Sequence, residues 1–341
     1  MQQLNRVRNI LLLLVLHLTL YAQKPEVLII TTGGTIASQT NAPLIEGSEL
    51  IGAVPDLQRY AKVQVVEVFR TGSSKMTPAH WLRLSHFIDS VAQQQPQLRC
   101  IVITHGTDTM EETAFFLNLT HRHSLPIVLT GSMRSSNEVS ADGPANLIQA
   151  VRVGIHPQAP GKGVLVVLNE NISAARDLLK MHNRRVDTFG PDQYGYLGFV
   201  SPDTVLFYRS PLRPHTLDTP FDLRQVKELP NVEVVSDYAG FDPEILDYFY
   251  GRPNAGLVVS TFAGGRISAG VTEGLRRLTP GGKPIVLASG IKSGWIEGTF
   301  SQRRPWITAN DLPPNKARIL LMLALTQTND PDKIQEFFHH Y

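Results

Sequence analysis

Residues 100–112 read Cys100-Ile101-Val102-Ile103-Thr104-His105-Gly106-Thr107-Asp108-Thr109-Met110-Glu111-Glu112. The apolar run ending at Thr104 predicts a short strand, Cys100–Thr104, buried on both faces. Glu111–Leu119 predicts the helix that follows, with Thr109 able to cap it and an acidic first turn at the positive end of its dipole. Capping accounts for Thr109, Glu111 and Glu112. It does not account for Thr107 and Asp108, a hydroxyl beside a carboxylate just before the cap, at the carboxyl end of the strand. Open α/β sheets hold their ligands at that end. Cys100 is the only cysteine, so no intramolecular disulfide forms. In an apolar run it reads as a small buried hydrophobe and a poor nucleophile, because burial disfavours the thiolate.

The same alternation continues on both sides. Val27–Thr31, Val63–Phe69, Ile127–Leu129 and Val164–Leu168 are further strand candidates. Thr77–Gln95 is the clearest helix: Thr77 can cap it, Pro78 suits its first turn, and Trp81, Leu84, Ile88 and Val91 share one face. Pro144–Val153 fits another. Continuous apolar strands alternating with helices predict a parallel sheet covered on both faces. Arg209–Pro230 holds Pro211, Pro214, Pro220 and Pro230 and little periodicity, and reads as a linker. The alternation then resumes with strand Val232–Ser236, helix Asp242–Tyr250, strand Leu257–Ser260, helix Ile267–Leu278 and strand Pro284–Ala288. Helices near Lys316–Thr326 and Pro331–His339 end the chain. The expected fold class is α/β with two domains. A larger N-terminal parallel-sheet domain spans residues 23–208, and linker 209–230 joins it to a smaller C-terminal α/β domain at residues 231–341.

At 341 residues, 42% hydrophobic and 18% charged, the chain holds enough apolar material for that core. The net charge of +2, from 32 basic and 30 acidic residues, shows no clustered excess of the kind that nucleic acid or an anionic membrane requires. Arg184-Arg185 and Arg303-Arg304 are short clusters that read as solvated surface. Arg6 and Arg8, the apolar run Ile10–Leu20 and the small residue Ala22 together predict a signal peptide at residues 1–22. The run is too short to span a bilayer, so the product is expected to be soluble in the periplasm. The eleven histidines show no metal-ligand spacing. His121 and His123 form a close pair without a neighbouring Asp, Glu or Cys in the sequence, and read as surface histidines.

Two more segments follow predicted strands. In Thr31-Thr32-Gly33-Gly34-Thr35-Ile36-Ala37 the glycines permit a tight turn and bring amide N–H groups toward a ligand. Thr35 presents a hydroxyl directly after that turn. The lysine and spacing of a phosphate-binding Walker loop are missing. Ala175-Arg176-Asp177-Leu178-Leu179-Lys180 follows Val164–Leu168. A lysine there becomes a base only if folding sets it beside a hydroxyl in a site that favours the neutral amine.

Gly33-Gly34-Thr35-Ile36-Ala37 and Thr104-His105-Gly106-Thr107-Asp108-Thr109 resemble the two signature segments of the bacterial-type L-asparaginases, of the exported type. The similarity continues through Ser140–Pro144, Arg176–Lys180 and His215–Asp222, and through Lys316–Leu321 and Leu323–Thr328. The resemblance implies a two-domain asparaginase-like fold and conversion of L-asparagine to L-aspartate and ammonia. No metal or organic cofactor is implied, and the assembly implied is a homotetramer with sites shared between paired subunits. It gives Thr35 the attack on the side-chain amide and the acyl intermediate. It makes Lys180 the base that draws the proton from Thr107, Asp108 a ligand of the substrate's α-amino group, and Ser73 the holder of its α-carboxylate. A threonine hydroxyl needs such a base, and the developing oxyanion needs aimed donors.

The chain departs from the family pattern in three places. No aromatic residue lies between Thr35 and Tyr60, where the family carries a lid tyrosine, and the lid segment Ser38–Glu49 is short. Thr40 is the nearest hydroxyl that could substitute. Ser74 stands where the family has Gln or Glu on the substrate amine. Ala263-Gly264-Gly265-Arg266 lacks the partner subunit's usual Asn or Ser, and Glu297 matches its acidic residue with a shift in alignment. Two alternatives follow: a glutaminase-asparaginase of broad specificity, or a solute-binding relative that lost the lid tyrosine.

Overall fold

The computed structural model describes residues 24–34, 36, 46–249, 255–296 and 305–341. The expected signal peptide Met1–Ala22, Thr35, Thr40, Glu297 and Arg303-Arg304 lie outside the described residues, as does most of the lid segment. No helix among the described residues is long and apolar enough to cross a membrane.

The large sheet begins with β1 (Glu26–Thr31), β2 (Lys62–Glu67), β3 (Leu98–Thr104), β4 (Ile127–Thr130) and β5 (Val164–Leu168), which pair in parallel in the order β2-β1-β3-β4-β5. Helices α1 (Gly47–Gly52), α2 (Leu57–Tyr60), α3 (Pro78–Gln94), α4 (Met110–Thr120) and α5 (Gly143–Gly154) connect them. The expected face of α3 is the buried one: Trp81, Leu84, Ile88 and Val91 are all in the core. Cys100 is fully buried on β3, and burial pushes its thiol up to about 12.

The expectation of a purely parallel sheet is corrected at its far edge. β6 (Asn171–Ala174), β9 (Gly198–Val200) and β10 (Val205–Phe207) complete the sheet antiparallel. The cause is local. Asn169 and Glu170 both take positive φ, 47° and 67°, the two-residue turn that returns a strand directly on its neighbour without a crossover helix. Between β6 and β9 the chain makes a separate small hairpin, β7 (Leu179–Lys180) with β8 (Phe189–Gly190).

The smaller sheet is parallel, in the order β11 (Val232–Ser236), β12 (Gly256–Thr261), β13 (Ile285–Ser289), β14 (Ile307–Thr308). Its helices are α6 (Glu244–Asp247), α7 (Ala269–Leu278), α8 (Pro314–Ala324) and α9 (Pro331–His340). The expected helix Asp242–Tyr250 is thus a single short turn, and Tyr250 lies outside the described residues. From Ile319 to Ala324 helix α8 is apolar on all sides because it lies between the small sheet and α4 of the large domain. One continuous core therefore runs from Leu28 and Ile30, through Phe115 and Phe116 of α4 and Ile319 and Leu320 of α8, to Val258 and Val286. The two domains share it.

Candidate active site

Three turns meet at the carboxyl ends of β1, β2 and β3. Gly33 and Gly34 have φ of +98° and +87°, a region that residues with a side chain rarely occupy. Contact is so close that a Cβ on Gly34 would stand 2.3 Å from both Cα and N of Gly106. A Cβ on Gly106 would in turn stand 2.5 Å from Ser73 Oγ. Thr35 lies outside the described residues. Its neighbours in the chain are Gly34, packed on Gly106, and Ile36, buried beside Gly143.

Ser73 is buried, and its Oγ accepts the Asp108 N–H at 3.1 Å. Ser74, the next residue, is exposed. Thr109 occupies the cap position of α4, but the expectation that its side chain caps the helix is corrected: its hydroxyl donates to the Ser73 carbonyl at 2.9 Å. It joins two site segments instead of satisfying its own helix.

Hairpin β7–β8 delivers Lys180 to this place. Lys180 Nζ lies 3.0 Å from Thr107 Oγ1 and 2.9 Å from Asp108 Oδ1. Thr107 is buried, the Lys180 side chain is one-fifth exposed, and Asp108 faces solvent at 62%. Lys180, 73 and 72 positions along the chain from its two partners, thus completes one cluster of a hydroxyl, an amine and a carboxylate open on one side. Glu111, read from sequence as a helix-dipole residue, does more. Its carboxylate accepts the Lys180 backbone N–H at 2.6 Å and the Asn315 side-chain amide at 2.7 Å. No sequence signal distinguishes it from Glu112 beside it.

Below the cluster, His105 fixes the turn that carries Thr107. Burial lowers its pKa to about 4, so the ring is neutral and has one proton to give. The Gly106 carbonyl, 2.7 Å from Nδ1, can only accept, which places that proton on Nδ1. Nε2 then accepts the Thr113 hydroxyl at 2.9 Å, whose oxygen accepts Trp81 Nε1–H at 2.9 Å. Every donor in this chain has a single possible direction.

The surface reading is corrected for His121, which is buried with Nε2 donating to the Leu125 carbonyl; His123 is partly exposed, with Asp89, remote in sequence, 3.4 Å away. Among the described residues no group of three or more His, Cys, Asp or Glu is arranged to hold a metal ion.

These buried groups contribute to the pH response of stability. Burial also brings His121 to about 4, and it raises Glu112 to about 7. Between pH 6.5 and 4.5 the unfolded chain binds a proton at each histidine that the folded chain refuses. Glu112 acts oppositely, holding a proton in the fold that the unfolded chain has lost. Two against one leaves at most about one proton, so stability falls by up to ~1.4 kcal/mol per pH unit on acidification. Denaturant unfolding is expected to give about 2 kcal/mol less stability at pH 4.5 than at pH 6.5. Equal stability at both would show that at least one histidine is charged in the fold.

Residues 26–213 match the family described as Asparaginase, N-terminal, and residues 231–338 match the Glutaminase/Asparaginase C-terminal domain. The chain belongs to the asparaginase family. It is 35% identical to the "Probable L-asparaginase periplasmic" of Haemophilus influenzae, over 94% of each chain. To the "Glutaminase-asparaginase" of Acinetobacter glutaminasificans it is 37% identical, over 93% of this chain and 100% of that one. The crystal structure of a "Probable Cytoplasmic L-asparaginase" from Campylobacter jejuni superposes with a TM-score of 0.89 at 38% identity, covering 93% of this chain and 100% of the other. The two-domain architecture, with a large mixed sheet and a smaller parallel one, is that of the asparaginase fold.

Proposed function

We propose that this chain is an L-asparagine amidohydrolase that works through a threonine acyl-enzyme. The observation that carries the reading is the 3.0 Å approach of Lys180 Nζ to Thr107 Oγ1, with Asp108 alongside. A protein that only binds a solute has no use for an amine aimed at a hydroxyl. In this reading the Thr35 hydroxyl attacks the side-chain amide carbon and ammonia leaves, forming an ester. Water then attacks that ester and releases aspartate and the free hydroxyl. Lys180 Nζ draws the Thr107 proton as the Thr107 oxygen takes that of the attacking group, and in the first step a proton is handed on to the amide nitrogen so that it departs as ammonia. Ser73 holds the α-carboxylate, and Asp108 and Ser74 face the α-amino group, with Glu297 supplied by a paired subunit. Catalysis is assigned to residues 23–208, with 209–230 as the linker and 231–341 as the second domain.

Ammonia release by the purified protein from asparagine, glutamine and their D-forms tests this reading. Turnover of L-asparagine is expected, and its absence would remove the assignment. Broad specificity is the second reading, favoured by Ser74. That side chain is shorter than the family's Gln or Glu and holds the amine less firmly. One methylene separates the two amides, worth ~1–3 kcal/mol even in a fitted pocket. Asparagine is therefore expected to be preferred by less than about 10³ in kcat/KM. A larger ratio would require a closing feature beyond these residues.

The basic, then apolar, start of the chain supports export, with a mature chain beginning near Gln23 in the periplasm. Mass spectrometry of the exported protein reads this directly, and an intact Met1–Ala22 segment in a membrane fraction would overturn it. A homotetramer with shared sites is proposed from the family. Sedimentation of an active monomer would exclude it.

A further inference from the structure

We propose that Lys316 and Asn315, on helix α8 of the smaller domain, are positioning residues that hold the backbone of Lys180 in place for catalysis. The inference rests on the reading of Lys180 as the base.

Lys316 is fully buried, an unusual place for an ammonium. Its Nζ donates to the carbonyls of Ala175 at 3.1 Å, Arg176 at 2.6 Å and Leu178 at 2.6 Å. Three donors meet three acceptors, which is the full capacity of the group. Those carbonyls belong to the turn that leads into β7, and Lys180 follows Leu178 by two residues. The next residue back on α8 acts on the same strand from another side. Asn315 Nδ2 donates to Glu111 Oε1 while Glu111 Oε2 accepts the Lys180 N–H. The Lys180 carbonyl accepts Lys292 Nζ at 3.1 Å, again from the smaller domain. Both backbone hydrogen-bonding groups of Lys180 are therefore satisfied by partners in, or oriented by, the other domain.

A buried charge is weak grounds for stability, since an apolar residue of similar volume is often tolerated as well or better. What an apolar residue cannot do is pull three carbonyls to one point. That convergence fixes the path of the chain into Lys180, whose Nζ has to reach Thr107 at 3.0 Å. A displacement of about 1 Å at a catalytic group can cost ~10² in rate. The smaller domain thereby acquires a role within its own chain, separate from any residue it lends to a partner subunit.

The test compares kcat and KM for asparagine in Lys316→Met, Asn315→Ala and Ile319→Val, with Lys180→Met as the reference. Ile319→Val thins the same helix without touching the clamp, and is expected to keep both constants. Lys316→Met and Asn315→Ala are each expected to lower kcat at least 10-fold while KM stays within about threefold. If Lys316→Met fails to fold, Asn315→Ala decides alone. A folded Asn315→Ala with kcat within twofold of wild type overturns the proposal. Lys180→Met separates the two readings. Substantial turnover in Lys180→Met would remove the base assignment itself. An inactive Lys180→Met beside fully active clamp variants would remove only the positioning role.

Discussion

Lys180→Met is expected to lower kcat by ~10²–10⁴, the usual contribution of a positioned general base, with little change in folding. Methionine keeps the apolar stem and removes the amine, so the Thr107 hydroxyl loses the only amine placed against it among the described residues. The lost ion pair costs little, because Asp108 is 62% exposed and water replaces its partner. Thr107→Ala removes the other end of the same bond and is expected to cost about as much. The double variant should then be little worse than either single one, since residues that act as a unit do not add. Thr35→Ala should abolish turnover altogether, because Thr35 is the only hydroxyl placed directly after the Gly33-Gly34 turn. Steady-state ammonia release, with thermal melts alongside, measures all four. A kcat above about a tenth of wild type in Lys180→Met would mean that another group takes the proton.

Part of that cluster is legible in the amino-acid sequence. Thr107 and Asp108 stand out because capping leaves them unexplained at a strand end, and the parallel core strands follow from continuous apolar runs. Lys180 is singled out only through the family resemblance, because a lone lysine at a strand end has no periodic signal. The antiparallel edge is hidden for a similar reason. Its strands are three or four residues long, too short for a period, and the turn Asn169-Glu170 does not carry the glycine that usually announces a hairpin. Thr109 illustrates a different limit. Residue type predicts a cap, and the position is the cap, but tertiary contact gives its hydroxyl a better acceptor in the Ser73 carbonyl. Lys316 is visible only as part of a family-like C-terminal stretch. Its burial depends on two domains closing over one helix, and no local pattern encodes that.

Gly34→Ala is expected to damage activity and stability together through a single added methyl group. The added Cβ would meet Gly106 Cα and N at 2.3 Å, and both atoms are backbone, so no side chain can swing aside. At φ +87° alanine also brings backbone strain of ~1–3 kcal/mol. Overpacking adds ~1–3 kcal/mol more. The clash cannot be absorbed quietly on the Gly106 side, because His105 Nδ1 holds the Gly106 carbonyl and Ser73 Oγ fills the space beyond. Movement is passed to Thr107, one residue on, and a shift of about 1 Å there is worth ~10² in rate. Gly52→Ala supplies the control. That glycine ends α1, lies in an ordinary helical region and has nothing within 4 Å of a new Cβ. Alanine there is expected to stabilise by ~0.4–1 kcal/mol through the unfolded chain and to leave kcat unchanged. Denaturant unfolding and kcat, measured on both variants, give the comparison. If Gly34→Ala kept kcat within tenfold of wild type, the three-turn contact would not be what holds Thr107 against Lys180, and the hairpin that carries Lys180 would have to set the geometry alone.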